Sequence, residues 1–101
     1  MPKEISIIKT APNLTLKAPN LYNVIYINDE VTTVEFVIQS LVNIFNHDYQ
    51  TAAAITEAVH ETGSGVAATL PYEIAEQKGV EATQLARANN YPLVIKLEEN
   101  K

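Results

Sequence analysis

From Tyr22 to Ile27 the chain reads Tyr-Asn-Val-Ile-Tyr-Ile, rich in β-branched and aromatic side chains, and the run stops at Asn28-Asp29, which predicts a first strand. Thr32 stands three residues before Glu35. That is the spacing of a capping box, in which a hydroxyl and a carboxylate satisfy the free N–H groups of a helix start. Beyond it Val34, Val37, Ile38, Leu41 and Phe45 recur at steps of three and four, one apolar stripe ending near Asn46. Asp48 is placed to cap a second helix whose stripe is Ala52, Ile55, Thr56 and Val59, running into the breaker Gly63-Ser64-Gly65. With only His47-Asp48 between them, the two helices are expected to pack as an antiparallel pair.

Val66 to Leu70 is short, apolar and bounded by glycine and proline, so it predicts a second strand. Pro71 suits the first turn of a third helix, where its missing N–H is not needed. Ile74, Ala75, Ala82, Leu85 and Ala86 form the expected inner side of that helix, which ends at Asn89-Asn90 before Pro92. Gly79 interrupts it, and an interior glycine costs about 1 kcal/mol relative to alanine unless close packing requires it. Leu93, Ile95 and Leu97 alternate with Val94, Lys96 and Glu98, the pattern of a half-buried last strand. The order is strand, helix, helix, strand, helix, strand. It predicts an α+β fold for residues 21 to 101, a three-stranded antiparallel sheet packed against three helices in one compact domain. Residues 1 to 20 hold three of the five prolines and three lysines with no sustained period, and are expected to form a flexible N-terminal extension.

Apolar residues make up 47% of the 101 positions, enough for one modest core and not for two. A net charge of −5 argues against nucleic acid and anionic membrane as partners and suits a cationic ligand or a basic protein. The absence of cysteine removes disulfides and thiolate metal sites, leaving stability to packing. Nowhere do about 18 apolar residues run together, and Met1-Pro2-Lys3-Glu4 does not open a signal peptide, so a soluble cytoplasmic protein is expected.

Chemical character concentrates where the first strand ends. Asn28 Oδ1, a carboxylate of Asp29 or Glu30, and a ring nitrogen of neutral His60 could together accept the three hydrogen bonds of an ammonium. Bonds to a charged group contribute roughly 1.5 to 3 kcal/mol each, and burial of one large side chain roughly as much again. After ordering costs this leaves binding on the order of micromolar. Asn-Asp-Glu after a strand is also ordinary turn chemistry, and a histidine beside Val59 can be purely structural. Asp29, Glu30, His47 and His60 are conceivable metal ligands, but no HExxH or equivalent spacing joins them, and no metal or other cofactor is expected. Ser64 near His60 is the one nearby nucleophile, and its Gly-Ser-Gly setting reads more simply as a loop; no enzyme is expected.

The segment from Tyr22 to Glu98 resembles the ClpS family of bacterial and plastid adaptor proteins. Asn28-Asp29-Glu30-Val31-Thr32-Thr33-Val34-Glu35-Phe36-Val37 is similar to that family's Asn-Asp-Asp-x-Thr-x-Met-Glu-Phe-Val segment. Ala58-Val59-His60-Glu61-Thr62-Gly63 matches its Val-His-x-x-Gly, Tyr72 to Lys78 echoes its third helix, and Leu85-Ala86-Arg87-Ala88-Asn89 with Pro92-Leu93 closes an ordered series. The resemblance implies a protein that performs no chemistry. It would bind polypeptides whose first residue is Phe, Tyr, Trp or Leu and deliver them to a Clp ATPase coupled to a protease. It further implies that Asn28, Asp29 and His60 hold the free α-amino group and that Val34, Val37, Thr56, Val59 and Leu93 line the side-chain pocket, with Glu30 and Thr32 at its rim. Glu73 and Lys78 would contact the N-terminal domain of an ATPase of the ClpA or ClpC type. The extension would be engaged during delivery. A monomer is the default expectation for the chain.

Three positions depart from the family pattern. Val34 and Thr56 stand where methionines are usual, and Glu30 replaces an aspartate. Valine is short and stiff where methionine is long and adaptable, so a more open pocket is expected, admitting Ile and Val or larger aromatic residues. The Thr56 hydroxyl is expected to disfavour Leu. Because only the pocket is altered, a second reading stays open at this point: a decoy that docks on the ATPase and delivers nothing.

Overall fold

The computed structural model describes residues 20–101, and its elements follow the expected order: β1 (Leu21–Ile27), α1 (Val34–Phe45), α2 (Tyr49–Thr62), β2 (Ser64–Pro71), α3 (Tyr72–Ala88) and β3 (Val94–Glu99). The expected N-terminal extension lies, apart from Asn20, outside the described residues. β1 takes the centre of an antiparallel sheet ordered β2-β1-β3, with Ile27 opposite Ser64 on one side and Val94 on the other. Val24 and Tyr26, alternate residues of β1, are fully buried and join Leu41, Ala52, Val59, Ala75, Ala86 and Leu93 in one core. The helices therefore lie over the face that carries Val24 and Tyr26.

Several local expectations shift. The helix cap is Thr33, one residue beyond the expected Thr32: its Oγ1 accepts the Phe36 N–H at 3.1 Å. Thr32 is drawn instead into the preceding turn by Asp29, and the capping box does not form. Asp48 caps α2 as expected, accepting from Thr51 N at 2.7 Å, and α2 closes at Gly63, whose φ of 96° is the left-handed conformation that glycine adopts freely. Ser64 and Gly65 belong to β2, not to a loop. A Cβ on Gly65 would lie 2.7 Å from Val59 Cγ2, so β2 presses on α2 more closely than any side chain allows. In α3 the inner face is Ala75, Gly79, Ala82 and Ala86, while Ile74 and Leu85, expected inside, are exposed.

The register of β1 against β2 jumps between Val24 and Ile25, whose partners are Ala68 and Val66, leaving Ala67 as an extra residue. Ala67 is buried, and its carbonyl accepts a hydrogen bond from His47 Nε2. One of the two histidines thus completes the backbone at a bulge. Across the core the Tyr26 hydroxyl meets Ser40 Oγ at 2.8 Å, and Ser40 also donates to Val37 O at 2.8 Å, so this buried polar pair is fully partnered.

Candidate functional site

Where β1 ends, Asn28 N donates to Gly63 O at 2.9 Å and ties the strand to the end of α2. This bond brings the Asn28-Asp29 corner to the end of the helix that carries His60. The Asn28 side chain and the His60 ring are both exposed, and neither makes a side-chain hydrogen bond with another described residue. Asp29 is engaged: Oδ1 accepts from Val31 N at 2.8 Å and Thr32 N at 2.7 Å, while Oδ2 accepts from Thr32 Oγ1 at 2.8 Å. Desolvation pushes its carboxyl up, but the bonds from Thr32 N, Val31 N and Thr32 Oγ1, with the Arg87 charge, outweigh it and hold the group below the usual carboxylate range. The corner therefore keeps a fixed negative charge. Most of the acceptor capacity of Asp29 shapes the turn, and Oδ2 keeps a lone pair.

Beside this corner, α1 and α2 flank an open cavity of about 360 Å³ lined by Val34, Ile38, Ala53, Thr56, Glu57, His60 and Glu61. Val34, Thr56 and His60 of the sequence-derived set meet on it. Val34, expected on the buried stripe of α1, is 49% exposed and forms part of the wall. Thr56 is buried, and its Oγ1 donates to Ala52 O at 2.7 Å, so the hydroxyl proton is bonded within the helix. This weakens the expected penalty against an apolar ligand such as a leucine side chain. Val37, Val59 and Leu93 lie in the core rather than on the cavity wall. Glu30 is exposed and Thr32 half-buried in the same turn as Asp29.

Arg87, which sequence reasoning used only as part of a motif, clamps the segment that carries Leu93: its Nη1 donates to Tyr91 O at 3.0 Å and Leu93 O at 2.8 Å. The Tyr91 ring packs on Phe36 of α1, with centroids 4.9 Å apart. Leu93 is thus held from both α3 and α1. The cavity residues Ala53, Glu57 and Glu61 were not singled out either, although their spacing with His60 puts all four on one helical face.

Glu73 lies elsewhere, exposed at the start of α3 in a depression of about 490 Å³ formed with Asn20, Tyr22, Pro71, Tyr72 and Ile74. Lys78 is half-buried and its Nζ donates to Ile44 O at 2.9 Å, placing the ammonium at the negative C-terminal end of α1. Among the described residues no three His, Asp or Glu side chains come together as a metal-binding group. No described helix is long and apolar enough to cross a membrane.

Residues 17–96 match the family model described as ATP-dependent Clp protease adaptor protein ClpS. The ATP-dependent Clp protease adapter protein ClpS of Clostridium acetobutylicum is 44% identical over 84 residues, which cover 83% of this chain and 83% of that protein. The ClpS of Shewanella halifaxensis is 38% identical over 97 residues, covering 96% of this chain and 95% of its own. Among solved structures, Agrobacterium tumefaciens ClpS2 bound to L-phenylalaninamide superposes with a TM-score of 0.79 at 34% identity, over 82% of this chain and all of that one.

Proposed function

The chain belongs to the ClpS family of Clp protease adaptor proteins, and from that premise we propose that it binds the free α-amino group and apolar first residue of a polypeptide and delivers that polypeptide to a Clp ATPase. The observation that carries this reading is the cavity between α1 and α2, with His60 on its wall and the fixed charge of Asp29 at the neighbouring corner. L-phenylalaninamide, the ligand of the Agrobacterium structure, combines an ammonium with one aromatic side chain. The same two groups suit this site: an apolar wall for the ring, and an amide oxygen, a carboxylate and an imidazole for the ammonium.

Asn28 Oδ1 and a His60 ring nitrogen accept directly from the amine. Asp29 acts mainly through its charge, because three bonds already occupy its oxygens. Val34 and Thr56 contact the first side chain, Val37, Val59 and Leu93 set the depth beneath it, and Glu30 and Thr32 border it. Residues 21–101 form the adaptor domain and residues 1–20 the extension engaged during delivery. Glu73 and the aromatic depression around it meet the N-terminal domain of the ATPase, and Lys78 joins with the donors left after its bond to Ile44 O. The adaptor role calls for no chemistry of its own.

The test is a titration with peptides that differ only in residue one. Phe, Tyr, Trp and Leu peptides are expected to bind, Ile and Val peptides to follow within about tenfold because Val34 leaves the wall open, and Asp or Gly peptides to fail. Indifference to the first residue would overturn the reading. Degradation of a Phe-starting reporter by the ATPase and protease is expected to accelerate when the protein is added, and slower degradation would contradict delivery.

A further inference from the structure

Leu93 stands apart in the proposed pocket, because it belongs to neither α1 nor α2 but to the turn between α3 and β3. Its side chain is fully buried, yet its backbone lies outside the sheet: β3 opens at Val94, and Pro92 has no N–H to lend. Another group must fix it. Arg87, exposed in the last turn of α3, does so, its Nη1 donating to both Tyr91 O at 3.0 Å and Leu93 O at 2.8 Å. We propose that Arg87 is a positioning residue for recognition of the first side chain: by clamping the two carbonyls it sets where the Leu93 side chain stands beneath the pocket, and thereby how well a large first residue is gripped. The inference rests on the proposed function and adds to it a residue that touches no ligand.

The clamp reaches the cavity by two routes. Through Leu93 it acts on the core that also holds Val37 and Val59, and a close-packed interior passes on a backbone shift rather than absorbing it. Through Tyr91 it acts on α1: the Tyr91 ring lies on Phe36, and its hydroxyl accepts from Thr33 Oγ1 at 3.4 Å. Thr33 caps α1 directly before Val34, a residue of the cavity wall. The guanidinium charge also helps to hold the Asp29 carboxyl low, so Arg87 stands within electrostatic reach of the amine corner. An exposed side chain held against two carbonyls gives up rotamer freedom that solvent would leave it. Arginine suits the task because its planar donors are fixed in direction, whereas a lysine ammonium ends a bond shorter and its donors rotate. Lysine keeps the charge and loses the clamp, which lets the two be separated.

The experiment measures, by competition, the affinities of two peptides that differ only in starting with Phe or with Ala, for the wild type, Arg87→Lys, Arg87→Gln and Asn89→Ala, with thermal unfolding of each protein recorded alongside. Asn89 is the control for stability alone, because its Nδ2 donates to Leu85 O at the same end of α3 without bonding the Tyr91–Leu93 segment. In both Arg87 variants the preference for Phe over Ala is expected to fall about 3- to 10-fold, through weaker binding of the Phe peptide, with the Ala peptide unchanged within about twofold. Asn89→Ala is expected to melt earlier and to keep the wild-type preference. A wild-type preference in Arg87→Lys, whatever its melting temperature, would overturn the inference and leave Arg87 a purely structural residue. So would an equal loss in Asn89→Ala, since any loosening of this helix end would then suffice. The two ideas fail separately. A preference for Phe that the Arg87 variants retain removes only this inference, whereas a wild type that does not distinguish Phe from Ala removes the proposed function beneath it.

Discussion

Val34 and Thr56 both line the cavity between α1 and α2, and both are small. Replacing Val34 by methionine places a long, adaptable side chain on a half-exposed wall position, where it can fold over the cavity without straining the core. Val34→Met is therefore expected to lower affinity for Ile- and Val-starting peptides about 3- to 10-fold relative to Leu-starting ones, as measured by calorimetry. Asp29 serves structure and charge together. Asp29→Ala removes three hydrogen bonds that hold the turn before α1, and a loss of about 1–2 kcal/mol in denaturant unfolding is expected. Because the folded carboxyl lies below its unfolded value of about 3.9, its contribution is present above that pH and fades as pH falls through the folded value. Wild type and Asp29→Asn should thus converge in stability only in strong acid. At this scale Asn28 and Asp29 stand out in the sequence because polar groups gather where a strand ends. Arg87 does not stand out, because its role depends on the Tyr91 and Leu93 carbonyls it clamps.

The elements were legible where local physics dominates and less so where packing does. Strand β1 and the Asp48 cap follow from nearby residues alone, whereas the start of α1 moved from Thr32 to Thr33 because Asp29 competes for Thr32. In α3 the large residues Ile74 and Leu85 suggested an inner face, yet the buried positions are the small residues Ala75, Gly79, Ala82 and Ala86, which let the helix approach the sheet closely. The periodicity was visible, but weighting by size rotated it. The two buried-side glycines make opposite predictions. A Cβ on Gly79 would meet Ile95 and Leu97 at an ordinary 3.8 Å, so Gly79→Ala is expected to stabilise the protein by about 0.5–1 kcal/mol. Gly65→Ala would press a methyl into Val59 and is expected to destabilise by about 1–3 kcal/mol, with thermal unfolding as the readout for both.

Across the whole molecule, the class α+β and the order of elements could be read from the chain, while the position of β1 between β2 and β3 could not, because pairing partners leave no mark on local pattern. The Tyr26–Ser40 pair is of the same kind: fourteen residues apart in sequence, it joins the central strand to α1. Burial pushes the Tyr26 phenol up to about 12, with the Ser40 bond opposing. The folded state thus holds a proton that the unfolded chain releases above about pH 10. Stability is expected to be complete below that value and to fall as pH rises from 10 toward 12, a slope that Tyr26→Phe should flatten in alkaline unfolding curves. This sheet and core hold the ends of β1 and α2 together, and on that junction the proposed capture of a free chain start depends. The most direct measurement is a titration with one phenylalanine-starting peptide in free and N-acetylated forms. The account predicts binding on the order of micromolar for the free amine and at least about 100-fold weaker binding once it is blocked. Equal affinity for the two forms would contradict it.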